Sequence, residues 1–226
     1  MLNKKWVFDL SKQFTPQVEV TYISDMLRHE IVKSAEAHSL VGIELGVAKG
    51  IMSKRMVDSE KFITYYGVDL YGDTHDTEEY KNAIKYVGLE SNFKLLRMTF
   101  DDALGLFNDA YFDYIYIDGF AHTGEEGGKT LSDWYSKLKI GGVLAGDDYH
   151  NDWPLVKWAV NDFCLKADLK LYVTEKVEDV EYCKYPSWFV IKNKDIYVEP
   201  DEMLMKVARV EKVRIFNERM NYQNRK

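Results

Sequence analysis

IELGVAKG, residues 43–50, contains a change of period. Ile43 and Leu45 close the apolar run LVGIEL (40–45), glycines follow at 46 and 50, and SKRMVDSE (53–60) then carries a helical pattern. The stretch reads as strand, turn and helix. Glycine at such a turn lets the backbone bend sharply and approach a ligand closely. The spacing is E-x-G-x-x-x-G. It is not the G-x-G-x-x-G that seats a pyrophosphate on a helix N-terminus. The wider spacing and the carboxylate of Glu44 suit a ligand with a cationic amino group. The alternative is an ordinary strand–turn–helix that needs glycine only for geometry.

The same unit recurs on both sides of the turn. Strands are predicted at LVGIEL (40–45), TYYGVDL (64–70), FKLLRM (93–98), FDYIYID (112–118), GGVLAGD (141–147), LKLYVT (169–174) and SWFVIK (187–192). Helical stretches alternate with them: DTEEYKNAIKYVGL, the short DDALGLF, EEGGKTLSDWYSKL, and DWPLVKWAVNDFCLKA with Asp152 as its N-cap and Pro154 in its first turn. Alternation of this kind predicts an α/β fold, a parallel, doubly wound sheet with helices on both faces. VEVTYISDMLRHEIVKSAEAH (18–38) reads as helical, and so does the tail EPDEMLMKVARVEKVRIFNERM (199–220). The expected organisation is one domain over 1–226. It divides into an N-terminal helical segment (1–39), a core (40–192) and a C-terminal helix (199–222).

Composition narrows the function classes. The net charge of −7 disfavours a nucleic-acid partner, which calls for a basic face. No stretch approaches the roughly 20 apolar residues of a membrane helix, and the N-terminus lacks a signal-peptide pattern. Cys164 and Cys183 form no C-x-x-C and suggest neither a disulfide framework nor a zinc site. These features predict a reduced, cytoplasmic protein.

Ligands of such sheets sit beyond the carboxyl ends of the strands. The residues there are Glu44, Asp69, Asp101 with Asp102, Asp118, and Asp147 with Asp148, all acidic. Asp69 stands about 20 residues after the glycine turn, where a carboxylate can accept ribose hydroxyls. Asp102 either lies near an adenine edge or, like Asp101, caps the next helix. Asp118 and Asp147/Asp148 end strands that are neighbours in a doubly wound sheet. Three converging carboxylates raise one another's pKa. A hard divalent cation such as Mg²⁺ would compensate them. Otherwise Asp147 or Asp148 caps the next turn and Asp118 faces solvent. His122 and His150 follow these points and are candidate bases, with His75 a weaker third. Trp134, Tyr149 and Trp153 could wall a pocket or belong to the core.

IELGVAKG, GVDLYGD, DDAL, FDYIYIDG and LKIGGVLAGDD, in this order, resemble the successive motifs of class I S-adenosylmethionine-dependent methyltransferases. The resemblance covers about residues 38–150. It implies a Rossmann-like seven-stranded sheet whose last strand, SWFVIK, runs antiparallel. IDG with a nearby histidine, then AGDDY, is most similar to the metal-dependent small-molecule O-methyltransferases, both catechol-type and those acting on macrolide and aminocoumarin sugars. On that resemblance Glu44, Gly46 and Gly50 frame the methionine moiety and Asp69 binds the ribose. Asp102 lies near the adenine, and Asp118, Asp147 and Asp148 hold Mg²⁺. The methyl acceptor is a hydroxyl of a small molecule, and a homodimer is possible. Two positions depart from the pattern. Ile140 replaces the proline of LKPGG, and Phe120 stands in a longer IDGFAH loop, which leaves the base between His122 and His150. The rival readings are a nicotinamide-dependent oxidoreductase on a similar sheet, a non-catalytic nucleoside-binding module, and a methyltransferase for protein or nucleic acid.

Overall fold

The computed structural model describes residues 4–36, 38–72, 76–178 and 182–223. His75 lies outside the described residues. Eight strands form a single mixed sheet: β1 (Val20–Ile23), β2 (Leu40–Leu45), β3 (Phe62–Asp69), β4 (Phe93–Arg97), β5 (Phe112–Ile117), β6 (Leu138–Gly146), β7 (Leu171–Thr174) and β8 (Trp188–Ile191). Their order is β1-β7-β8-β6-β5-β2-β3-β4. All neighbours pair in parallel except β8, which runs antiparallel to both β6 and β7. The order reverses between β2 and β5, whose carboxyl ends therefore open onto a crevice.

Alternation along the central strands covers both faces. Ile115 and Ile117 point into one cluster with Leu131, Trp134, Val156 and Phe163, under the helices Lys129–Tyr135 and Pro154–Ala167. Tyr114 and Tyr116 point the other way, to Ile31, Met52 and Met56 under the helix Ile51–Asp58. This is the period of two expected of strands buried on both sides. Trp134 and Tyr149 are core residues, and Tyr149 donates its hydroxyl to Asn161 at 2.7 Å.

Four expectations need correction. The segment 18–38 is not wholly helical: Val20–Ile23 is an edge strand registered parallel to Leu171–Thr174, which gives eight strands where seven were expected. Its β-branched and aromatic residues, Val20, Thr21, Tyr22 and Ile23, favour a pleated edge. A 3₁₀ helix, Arg28–Ser34, follows it. EEGGKTLSDWYSKL is helical only over Lys129–Tyr135. Gly124–Gly128 all have φ between 51° and 87°, a left-handed turn. A Cβ on Gly124 would lie 2.3 Å from the Leu155 carbonyl oxygen, so close packing holds the turn. Asp152 does not cap Pro154–Ala167; Trp153 holds that position without a side-chain cap, and Pro154 opens the helix as expected. Finally, β6 begins at Leu138, three residues before Gly141, whose φ of +80° accompanies a register shift against β5.

The C-terminal helix, Glu202–Gln223, packs against the helix Pro154–Ala167 and the left-handed turn. No described helix is long and apolar enough to cross a membrane.

Candidate functional site

Two cavities meet at the glycine turn. The first, about 320 Å³, is lined by Arg28, Glu44, Gly46, Asp118, Asp147 and Asp148, with Trp153, Tyr182, Lys184 and Tyr185 on its outer wall. The second, about 470 Å³ and more apolar, is lined by Gly46, Asp69, Leu70, Met98, Thr99 and Phe100, and on its far side by Phe120, His122 and Phe216. Gly46 is common to both. Its φ is +98°, and a Cβ there would lie 1.9 Å from the Asp118 carbonyl oxygen. Only glycine lets the turn pass this close to the end of β5.

Asp69 fixes the other side of the turn. One carboxylate oxygen accepts the N–H groups of Val47 at 3.0 Å and Ala48 at 2.9 Å, and the second accepts that of Tyr71 at 3.1 Å. Glu44 is buried beneath the turn and accepts the Ser53 hydroxyl. Burial pushes its carboxyl up to about 8, against the lowering effect of Ser53 and Arg28.

The carboxylates at the ends of β5 and β6 already have a cation. Arg28 comes from the 3₁₀ helix, and its side chain is 2% exposed. One terminal nitrogen lies 2.5 Å from Asp118 Oδ2 and the other 3.0 Å from Asp147 Oδ2. The latter also donates to the Tyr182 carbonyl oxygen. The guanidinium carbon stands 4.9 Å over the Tyr116 ring. Burial opposes the charge on Arg28, but Asp147, Tyr116 and Asp118 outweigh it and hold the pKa above its ordinary value. Asp147 takes a further bond from Ser187 at 2.8 Å, and burial pushes it up to about 6 despite Arg28. Asp148 has a left-handed backbone, φ 62°; burial, then Asp147 and Asp118, push it up to about 9.

Residues 43–149 match a family of methyltransferase domains. Solved methyltransferases and related proteins share the fold. Cofactor-bound Rv0187 from MTB aligns over 84% of this chain and 88% of its own, with 10% identity and a TM-score of 0.58. A candidate O-methyltransferase from Klebsiella pneumoniae aligns over 84% and 89%, with 13% identity and a TM-score of 0.54. A candidate sarcosine dimethylglycine methyltransferase from Galdieria sulphuraria is 20% identical over 53% of this chain, which spans 43% of that longer one, with a TM-score of 0.42. No curated protein sequence matches the chain. The match covers the central strands and the glycine turn, and the solved structures share the Rossmann-like fold.

Within this fold the predicted residues divide into two groups. Glu44, Gly46, Asp69, Asp118, Asp147 and Asp148 line the joined cavities. Gly50 lines neither; its φ of +79° starts the helix Ile51–Asp58, and a Cβ there would press on Val87 and Ala83. Asp102 also lies outside the cavities and is exposed. Thr99 is the N-cap of the helix Phe100–Leu104, accepting from the Asp102 N–H and donating to its carboxylate, so Asp101 and Asp102 are not the cap themselves. His122 lines the second cavity, with its ring edge-on to Trp153 at 4.8 Å. His150 lines neither cavity; it faces a groove with Tyr22 and Lys157 and meets the Asp152 N–H at 3.2 Å.

Arg28, Ser53, Ser187 and the outer wall of Tyr182, Lys184 and Tyr185 were not predicted. Arg28 sits among alternating polar and apolar residues with no motif around it. Glu125 was read only as part of a helix. It is buried in the left-handed turn, accepts the Phe120 N–H at 3.3 Å, and is pushed up to about 8 by burial.

Proposed function

We propose that the protein transfers the methyl group of S-adenosylmethionine to a hydroxyl of a small molecule. The observation that carries this reading is the pair of cavities that share Gly46 in their linings, one acidic and one apolar. They suit a ligand with a cationic amino-acid end and an aromatic nucleoside end. S-adenosylmethionine supplies an electrophilic methyl on its sulfonium when bound. Glu44 and Asp118 receive the ammonium, the turn at Gly46 brings the backbone against the ligand, and Asp69 holds the turn beside the ribose. Leu70, Met98 and Phe100 exclude water from the base. These groups orient the methyl donor, and orientation is the main catalytic resource of a direct transfer.

His122 is proposed to take the acceptor's proton, since it lines a cavity of this site and His150 does not. Mg²⁺ does not fit the residues present. Among the described residues no group of three or more histidine, cysteine or carboxylate side chains could hold a metal ion. Asp118 and Asp147 are instead bridged by Arg28. No step is assigned to a metal.

Isothermal titration with S-adenosylmethionine, repeated with Mg²⁺ and with Asp69→Ala, tests the reading. Micromolar binding that is lost in Asp69→Ala supports it. No binding under any of these conditions leaves the fold without the activity.

A further inference from the structure

The sequence sets three carboxylates at the ends of two neighbouring strands, which demands a positive charge. We propose that Arg28 is that charge: its guanidinium permanently fills the position a divalent cation would take, and the protein works on acceptors that need no metal chelation. The inference rests on the methyltransferase reading for its consequence about the acceptor, but not for the charge itself.

Three observations carry it. The first is contact. Arg28 reaches Asp118 at 2.5 Å and Asp147 at 3.0 Å through different nitrogens, so it spans the two strand ends as a bridging ion would. The second is enclosure. The side chain is 2% exposed and held between the Tyr116 ring and the Tyr182 carbonyl. The third is chemistry. A guanidinium stays protonated at any working pH, so it cannot yield its place by losing its charge. Mg²⁺ requires an oxygen shell at roughly 2.0–2.1 Å. Two of the three oxygen donors that would supply it face a cation instead.

The consequence for the acceptor follows. A divalent ion can bind two neighbouring substrate oxygens and lower the pKa of one of them. Arg28 offers no coordination positions, and its terminal nitrogens are engaged by Asp118, Asp147 and Tyr182. A vicinal-diol acceptor gains nothing here from its second oxygen. The acceptor class indicated is a molecule with a single reactive hydroxyl, placed by the wall of Trp153, Tyr182 and Tyr185 rather than by chelation.

Mn²⁺ serves as the probe, titrated into the metal-free protein and followed by the electron paramagnetic resonance of the free ion. Wild type is expected to show no stoichiometric site up to about millimolar Mn²⁺, a Kd limit near −4 kcal/mol. Arg28→Ala removes the cation between Asp118 and Asp147, and is expected to gain one Mn²⁺ site at least about tenfold tighter, a step of about 1.4 kcal/mol. Arg28→Ala/Asp118→Asn is expected to lose that site. One tight Mn²⁺ per wild-type chain, abolished by Asp118→Asn, overturns the proposal. So does a folded Arg28→Ala that binds no more Mn²⁺ than wild type. Should Arg28→Ala not fold, Arg28→Gln takes its place, and the wild-type titration decides in either case. Binding of S-adenosylhomocysteine in metal-free buffer, measured separately, reports on the methyltransferase reading. Its absence sinks that reading and leaves the Mn²⁺ result standing.

Discussion

On the proposed function, Glu44 links cofactor binding to the release of a proton. Its carboxyl is buried under the glycine turn and pushed up to about 8. At pH 7 a group with that value is about nine-tenths protonated. A ligand ammonium placed against it favours the carboxylate, so the proton leaves as the ligand arrives. Binding at pH 7 is expected to release about 0.8 proton, and affinity to rise about twentyfold between pH 6 and pH 8, or about 1.8 kcal/mol, the ligand's own amino group losing part of its charge by pH 8. Calorimetry with S-adenosylmethionine in phosphate and in Tris separates proton release from binding, because the two buffers differ in ionisation enthalpy. Glu44→Gln keeps the shape and an acceptor for the Ser53 hydroxyl but cannot titrate. It is expected to abolish both the proton release and the pH slope. Proton release that persists undiminished in Glu44→Gln would refute the assignment and move the linkage to Asp148 or Glu125.

The same group makes the unliganded protein less stable as pH rises. A carboxyl held above its unfolded value binds its proton more tightly in the folded chain. Its contribution is complete below the ordinary 4.5 and is lost as pH rises through about 8. Thermal melts of the unliganded protein should therefore fall from pH 5 to pH 8, and less steeply in Glu44→Gln.

Other substitutions test the frame. Gly46→Ala sets a Cβ 1.9 Å from the Asp118 carbonyl oxygen at a φ of +98°; it should abolish cofactor binding by calorimetry and lower stability by about 2–3 kcal/mol in urea. Asp69→Ala leaves the N–H groups of Val47, Ala48 and Tyr71 without their acceptor and should cost about 3 kcal/mol, whereas Asp69→Asn, which keeps one acceptor oxygen, should cost less. Lys192 is 1% exposed and donates to the Tyr135 and Leu138 carbonyls at 3.0 and 2.8 Å; Lys192→Met should destabilise by about 2 kcal/mol in denaturant while cofactor affinity stays within about twofold of wild type.

The central sheet was legible because its signals are local. A strand buried on both faces is apolar throughout, and its carboxyl end is marked by the first charge after it. Glu44, Asp69, Asp118 and Asp147 could therefore be placed on one rim without knowing what lay between them. The edge strand Val20–Ile23 was not legible, since four residues do not separate a period of two from one of 3.6, and its pairing with Leu171–Thr174 is set by residues about 150 positions away. The left-handed turn was missed for a similar reason. GEEGG satisfies a weak helical pattern, and only packing against Leu155 and Met205 selects the other hand.

The acidic rim shows how far local reading goes. Converging carboxylates fix the sign of the missing charge but not its chemical kind, because Coulomb's law does not distinguish a metal ion from a guanidinium. What distinguishes them is the tertiary path of residues 24–36. The edge strand aligns with β7 and brings the 3₁₀ helix over the ends of β5 and β6, and Arg28 descends from it into the space between Asp118 and Asp147. The same guanidinium donates to Tyr182 on the outer wall of the cavity. One side chain therefore ties the N-terminal segment, the acidic strand ends and the outer wall of the cavity together. A divalent ion on that rim would bind the two carboxylates and leave the N-terminal segment free to vary. Arg28 makes that segment part of the electrostatics of the site.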